Sequence, residues 1–285
     1  MPFLRRSFLS RFNPLAWAVL AALPVPALAD PAAAPAARYV AMGSSFAAGP
    51  GLLPHAADAP ARCGRSTRNY AQQLAALRGL PLADVSCSAA TTRAVLQPWN
   101  ELPAQIDALG PATRLVTVTI GGNDVGYVGH LLHASCSALA AQGRVPAGRC
   151  RPVEASTDAD FAALDGAMRA IAAAVRARAP QAQLVFIDYL TLLPPAHTCA
   201  ATPLSAAEAE RARTVAARLL ALTADVAQGT GALLLGAASL SVGHDACAAE
   251  PWVQGYPAAD KGAPYHPNLA GMSALAQALD RLLPR

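Results

Sequence analysis

The chain has 285 residues, 54% apolar, 14% charged and 5% aromatic, which is ample material for a packed core and too little charge for disorder. Its formal charge of +4 falls to +1 when Arg5, Arg6 and Arg11 leave with an N-terminal leader. A near-neutral product whose single lysine is Lys261 carries no electrostatic footprint for nucleic acid.

Residues 1–29 combine a basic start, an apolar stretch and Ala27-Leu28-Ala29 ahead of Asp30, the pattern of a secretory signal peptide. Pro14, Pro24 and Pro26 argue against a stable spanning helix, and no later run reads as a membrane span. Arg5-Arg6-Ser7-Phe8-Leu9 also fits a twin-arginine signal, so either export route is open. The product is expected to be secreted or periplasmic. Residues 30–37 (DPAAAPAA) form a short linker, and residues 38–285 are expected to form one domain.

The elements then alternate. Strands are predicted at residues 38–42, 83–86, 115–120 (LVTVTI), 183–190 (QLVFIDYL) and 232–235, near-continuous apolar runs of the kind buried on both faces of a parallel sheet. Between the third and fourth, Phe161, Leu164, Met168, Ile171 and Val175 share one helical face. Ser205-Ala-Ala-Glu208 is a capping box opening a helix with Val215, Leu219, Leu222 and Val226 on one side. Met272, Leu275, Leu279 and Leu282 mark a last amphipathic helix. This alternation predicts a three-layer α/β/α sandwich around a central parallel sheet, with ligands at the carboxyl ends of the strands.

Cys63, Cys87, Cys136, Cys150, Cys199 and Cys247 include no C-x-x-C pair, which favours disulfides in an oxidising compartment over zinc. Six cysteines allow fifteen connectivities. Neighbour pairing (63–87, 136–150, 199–247) is expected because each bridge closes a loop between adjacent elements.

Three segments place polar or small residues just past a strand or before a helix. Gly43-Ser44-Ser45 follows the first strand, where a glycine-flanked turn exposes a hydroxyl. Gly121-Gly122-Asn123-Asp124 follows LVTVTI, where an asparagine amide is able to serve an oxyanion. His266-Pro267-Asn268 precedes the last helix, whose N-terminus disfavours imidazolium and so keeps a base neutral. Each alone is an ordinary turn.

Together with CSAATT (87–92), the GHDAC…PWVQG run and YHPNLAGMSALAQAL, these blocks resemble the SGNH hydrolases, or GDSL-type lipases and esterases, in their secreted three-disulfide branch. The resemblance runs from about residue 39 to 283. It implies that Ser45 is the nucleophile and His266 the general base, with an oxyanion hole formed by the Ser45 and Ala89 N–H groups and the Asn123 amide. The implied reaction is hydrolysis of acyl esters, lipid esters among them, through an acyl-enzyme without metal or cofactor. Phospholipase and carbohydrate-ester deacetylase activities belong to the same fold, and the alternative class is a secreted binding protein that has lost catalysis.

Three positions depart from the family pattern. Gly-Asp-Ser becomes Gly43-Ser44-Ser45, and Ala89 replaces the oxyanion glycine. If Ala89 takes a positive φ, the cost is on the order of 1 kcal/mol. The aspartate three residues before the histidine is replaced by Ala263, whose main-chain carbonyl is expected to orient the imidazole, with Asp260 as a lesser candidate.

Other residues read as structural. His130 and His133 share a helical face but lack a third metal ligand. His244 reads as a loop histidine, Asp188 as a helix cap, and Trp99 and Trp252 as core. No phosphate-binding loop is present in the sequence. Residues 143–158 are where a lid is sought, and a monomer is the default.

Overall fold

The computed structural model describes residues 38–259 and 262–284. The expected leader and linker, and Asp260, lie outside the described residues.

The chain runs β1 (Tyr39–Gly43), α1 (Ser45–Ala48), α2 (Tyr70–Arg78), β2 (Leu82–Asp84), α3 (Thr92–Leu96), β3 (Leu115–Thr119), α4 (Tyr127–Ala141), α5 (Asp158–Arg178), β4 (Gln183–Ile187), α6 (Ala206–Thr230), β5 (Leu233–Leu235), α7 (Ala237–Leu240) and α8 (Leu269–Leu282). The five strands form one parallel sheet in the order β2-β1-β3-β4-β5. Every residue of β1 and β3 is buried, as their unbroken apolar character requires of central strands. Helices α2 and α8 pack together as one layer, and α3, α4, α5 and α6 make the other.

The order reverses between β1 and β3, which pair in register from Tyr39 opposite Leu115 to Gly43 opposite Thr119. Loops leaving such neighbours diverge, and the crevice between them is where this architecture holds ligands.

Local chemistry explains the element ends. Thr157 and Asp160 form a reciprocal capping box on α5, whose apolar stripe from Phe161 to Val175 is buried. At α6 half of the expected box is made: Ser205 Oγ accepts the Glu208 N–H at 3.2 Å, while the Glu208 carboxylate pairs with Arg211 one turn on. The fourth strand stops at Ile187, three residues earlier than expected, because Asp188 turns aside to accept the Ala238 N–H of α7 at 2.9 Å. In α8, Leu282 is 37% exposed and Leu283 is buried in its place.

Disulfides join Cys63 to Cys87, Cys136 to Cys150 and Cys199 to Cys247. No described helix is long and apolar enough to cross a membrane.

Candidate active site

β1 ends at Gly43, which has φ +135°; a Cβ there would stand 2.4 Å from the Thr119 carbonyl oxygen. Only glycine fits this close approach to β3. The buried side chain of Gln105 grips the same residue from both sides, accepting the Gly43 N–H at 2.7 Å and donating to its carbonyl at 3.0 Å. The chain then enters the single turn of α1, which lifts Ser45 above the end of the sheet.

The loop after β3 is pinned at two points. The Gly122 N–H donates to the Tyr189 hydroxyl at 2.8 Å, and the Asp124 carboxylate accepts both the N–H and the hydroxyl of Thr92. Between these pins, Asn123 Nδ2 donates to the Ala90 carbonyl at 2.9 Å, which joins the asparagine to the loop carrying Ala89.

That loop is held by the Cys63–Cys87 bridge and by Ser88, whose N–H and hydroxyl both donate to the Cys63 carbonyl, at 3.1 and 2.7 Å. Ala89 has φ +66°, the conformation in which a side chain is strained. The N–H groups of Ser45 and Ala89 find no acceptor among the described residues.

His266 arrives from the far end of the chain. The Val253–Pro267 bridge and the Gln254–His266 and Tyr265–Gln254 backbone bonds fix its segment. Asn268 then caps α8 by accepting the Gly271 N–H at 3.0 Å. The imidazole Nε2 lies 2.7 Å from Ser45 Oγ, and the Phe46 ring sits 5.1 Å from the imidazole. Nδ1 lies 2.8 Å from the Pro264 carbonyl oxygen. This corrects the expectation for Ala263, whose carbonyl instead accepts the main-chain N–H of His266 at 3.2 Å. Tyr265, at φ +58°, reverses the chain so that the Pro264 carbonyl faces the ring. Burial pushes the imidazole pKa down to about 4, outweighing the opposite effect of that carbonyl, so the ring is neutral at pH 7.

The model of the GDSL-like lipase/acylhydrolase family matches residues 41–274. The chain belongs to this family. It is 32% identical to Lipase 2 of Streptomyces coelicolor over 97% of its own length and 96% of that protein. Among solved structures it resembles the phospholipase A1 of Streptomyces albidoflavus (TM-score 0.69, 27% identity) and the extracellular lipase of Streptomyces rimosus (TM-score 0.69, 26% identity). Each match covers 86% of this chain and 99% of the other. The chain is a carboxylic ester hydrolase of the acylhydrolase class.

The remaining candidates in this acylhydrolase lie elsewhere. His244 Nδ1 bonds the Glu250 carbonyl at 2.7 Å and its ring stacks on Trp252 at 4.0 Å. Trp99 lies under the Arg62 guanidinium, and both tryptophans pack against the core. Burial raises the Asp188 pKa to about 6 while its carboxylate caps α7. His130 and His133 line a cleft beside α4; no group of three or more metal-ligating side chains is clustered among the described residues. Gln105 and Tyr189 escaped the sequence reading, one in an aperiodic segment and the other counted as strand.

Proposed function

We propose that the protein is an exported serine hydrolase of lipid acyl esters working through a Ser45–His266 dyad. The 2.7 Å contact between Ser45 Oγ and a buried, neutral His266 Nε2 carries this reading. A neutral imidazole takes the hydroxyl proton as Ser45 attacks the ester carbonyl. The Pro264 carbonyl holds the Nδ1–H tautomer that leaves Nε2 free to accept it. Charge developing on the carbonyl oxygen is met by the uncommitted N–H groups of Ser45 and Ala89 and by the Asn123 amide. His266 returns the proton to the departing alcohol, and water then cleaves the acyl-enzyme by the same route. The dyad and oxyanion donors need no metal or cofactor.

Export, through cleavage of residues 1–29, is supported by the signal pattern and the three disulfides. The similarity to a phospholipase A1 favours phospholipids as a second lipid substrate. The test is turnover of p-nitrophenyl esters, triacylglycerol and phosphatidylcholine by wild type and Ser45→Ala. Loss of every activity in the variant is expected. Wild-type protein inert on all esters would favour a binding role, and activity surviving in Ser45→Ala would remove the nucleophile.

A further inference from the structure

A buried glutamine stands behind the nucleophile turn. Gln105 opens a short helical turn, Gln105–Ala108, and is 5% exposed. A primary amide at that depth needs partners for both its oxygen and its N–H groups. It finds both on one residue, Oε1 accepting the Gly43 N–H at 2.7 Å and Nε2 donating to the Gly43 carbonyl at 3.0 Å. The pairing copies a rung of a sheet. β2 is last paired with β1 at Asp84, opposite Ala41, and the Gln105 side chain serves the end of β1 beyond that pair.

Gly43 needs such a clamp. Its φ of +135° and the close approach of Thr119 exclude a side chain. Without one, nothing in the residue itself restrains its peptide groups. On the side of β3 the next peptide is anchored, because the Ser44 N–H donates to the Thr119 carbonyl at 3.0 Å. On the other side the restraint comes from Gln105.

The Gly43 carbonyl is also a junction. It accepts the Cys87 N–H at 3.1 Å as well as Gln105 Nε2. From this point Ser45 lies two residues along one segment and Ala89 two residues along the other. Those two residues carry the main-chain N–H groups assigned above to the oxyanion. A rotation of the Gly43 peptide therefore changes the spacing between them.

We propose that Gln105 is a positioning residue for ester hydrolysis: by holding both polar groups of Gly43 it sets the distance between the Ser45 and Ala89 N–H groups. The inference rests on the dyad and oxyanion reading given above. Charge on the carbonyl oxygen develops in the transition state, so a misplaced donor pair lowers kcat and leaves substrate binding nearly intact.

The experiment measures kcat and KM for a p-nitrophenyl ester and the Ki of a trifluoromethyl ketone. Ser45 Oγ adds to the ketone carbon, its proton passes to His266, and the carbonyl oxygen becomes an oxyanion in the same hole. Gln105→Met has similar size and makes neither bond. It is expected to lower kcat by about tenfold or more, with KM little changed and Ki weakened in proportion. Gln105→Glu supplies the rescue, because a protonated carboxyl again offers one acceptor and one donor. Around it stand Asp58, Arg65, Asp84 and Asp107. Arg65 is engaged by the Ser86 carbonyl, and Arg178 by Asp107, so no free cation favours the ionised form. The Gln105→Glu kcat, relative to wild type, is thus expected to be retained at low pH and to fall as the acid ionises.

Gln105→Met with a lowered Tm but wild-type kcat and Ki overturns the proposal, as does a loss confined to KM. Gln105→Glu as slow at about pH 5 as at about pH 9 overturns it too. Should Gln105→Met fail to fold by circular dichroism, the Gln105→Glu profile decides alone. Turnover persisting in Ser45→Ala would instead sink the dyad, so the two failures are separable.

Discussion

His266 Nδ1 is engaged by the Pro264 carbonyl oxygen at 2.8 Å, the position a triad carboxylate would occupy. A neutral acceptor fixes the tautomer without adding charge, and burial dominates the imidazole pKa, lowering it to about 4 from 6.5. His266 accepts a proton only when neutral, that is, above its pKa. The acid limb of kcat/KM is therefore expected near pH 4, and Asp260→Asn should leave it in place. A limb near 6.5, or collapse of the Asp260 variant, would return the orienting role to a carboxylate. Stability follows the same sign: between about 4 and 6.5 the unfolded chain binds the extra proton, so the contribution is full above 6.5 and declines as pH falls toward 4.

The Tyr189 hydroxyl holds the loop after β3 by accepting the Gly122 N–H, and its ring lies 4.6 Å from that of Phe46, the residue after Ser45. Tyr189→Phe leaves a buried N–H unpaired, at a cost of about 1–3 kcal/mol. The expected result is a lower Tm and a kcat reduced by about tenfold with KM little changed, because the loops lose registry and not substrate affinity. A variant with reduced Tm and wild-type kcat would confine Tyr189 to a structural role.

Ala89 holds a positive φ at the proposed oxyanion hole. Ala89→Gly relieves on the order of 1 kcal/mol of strain, which the greater chain entropy of unfolded glycine partly offsets. Turnover should be retained or rise, with Tm within about 4 °C of wild type. A tenfold fall in kcat would mean that the alanine methyl itself shapes the site.

Cys87 of the Cys63–Cys87 bridge stands two residues before Ala89, and Ser88 between them fastens the loop to the Cys63 carbonyl. Paired Cys63→Ser, Cys87→Ser should cost about 2–4 kcal/mol of stability. It should also lower kcat at temperatures where circular dichroism still reports a folded protein. Full activity up to the unfolding transition would show that the bridge serves stability alone.

Much of the architecture was legible because it is written in period and punctuation: β-branched runs ending in glycine, and apolar residues three and four apart. Ser45 and His266 sit at such punctuation, where a strand or helix terminus announces itself. Other determinants are tertiary. Which carbonyl meets His266 depends on Tyr265 adopting φ +58°, a conformation that a tyrosine does not advertise. Gln105 grips a glycine 62 residues earlier from a segment without apolar period. Tyr189 looked like strand because its apolar neighbours continue past Ile187; only Asp188 turning to cap α7 ends the ladder there. Leu282 fits the helical face by spacing, yet it falls in the last turn of α8, where Leu283 takes the buried place.

Ser45 and His266 stand 221 positions apart, one on the opening turn and the other on the threshold of the last helix. If the two form the proposed dyad, a nascent or half-folded chain possesses a hydroxyl without its base. Hydrolytic competence would then arrive only when α8 docks, and a nick that frees the C-terminal segment would disarm the molecule.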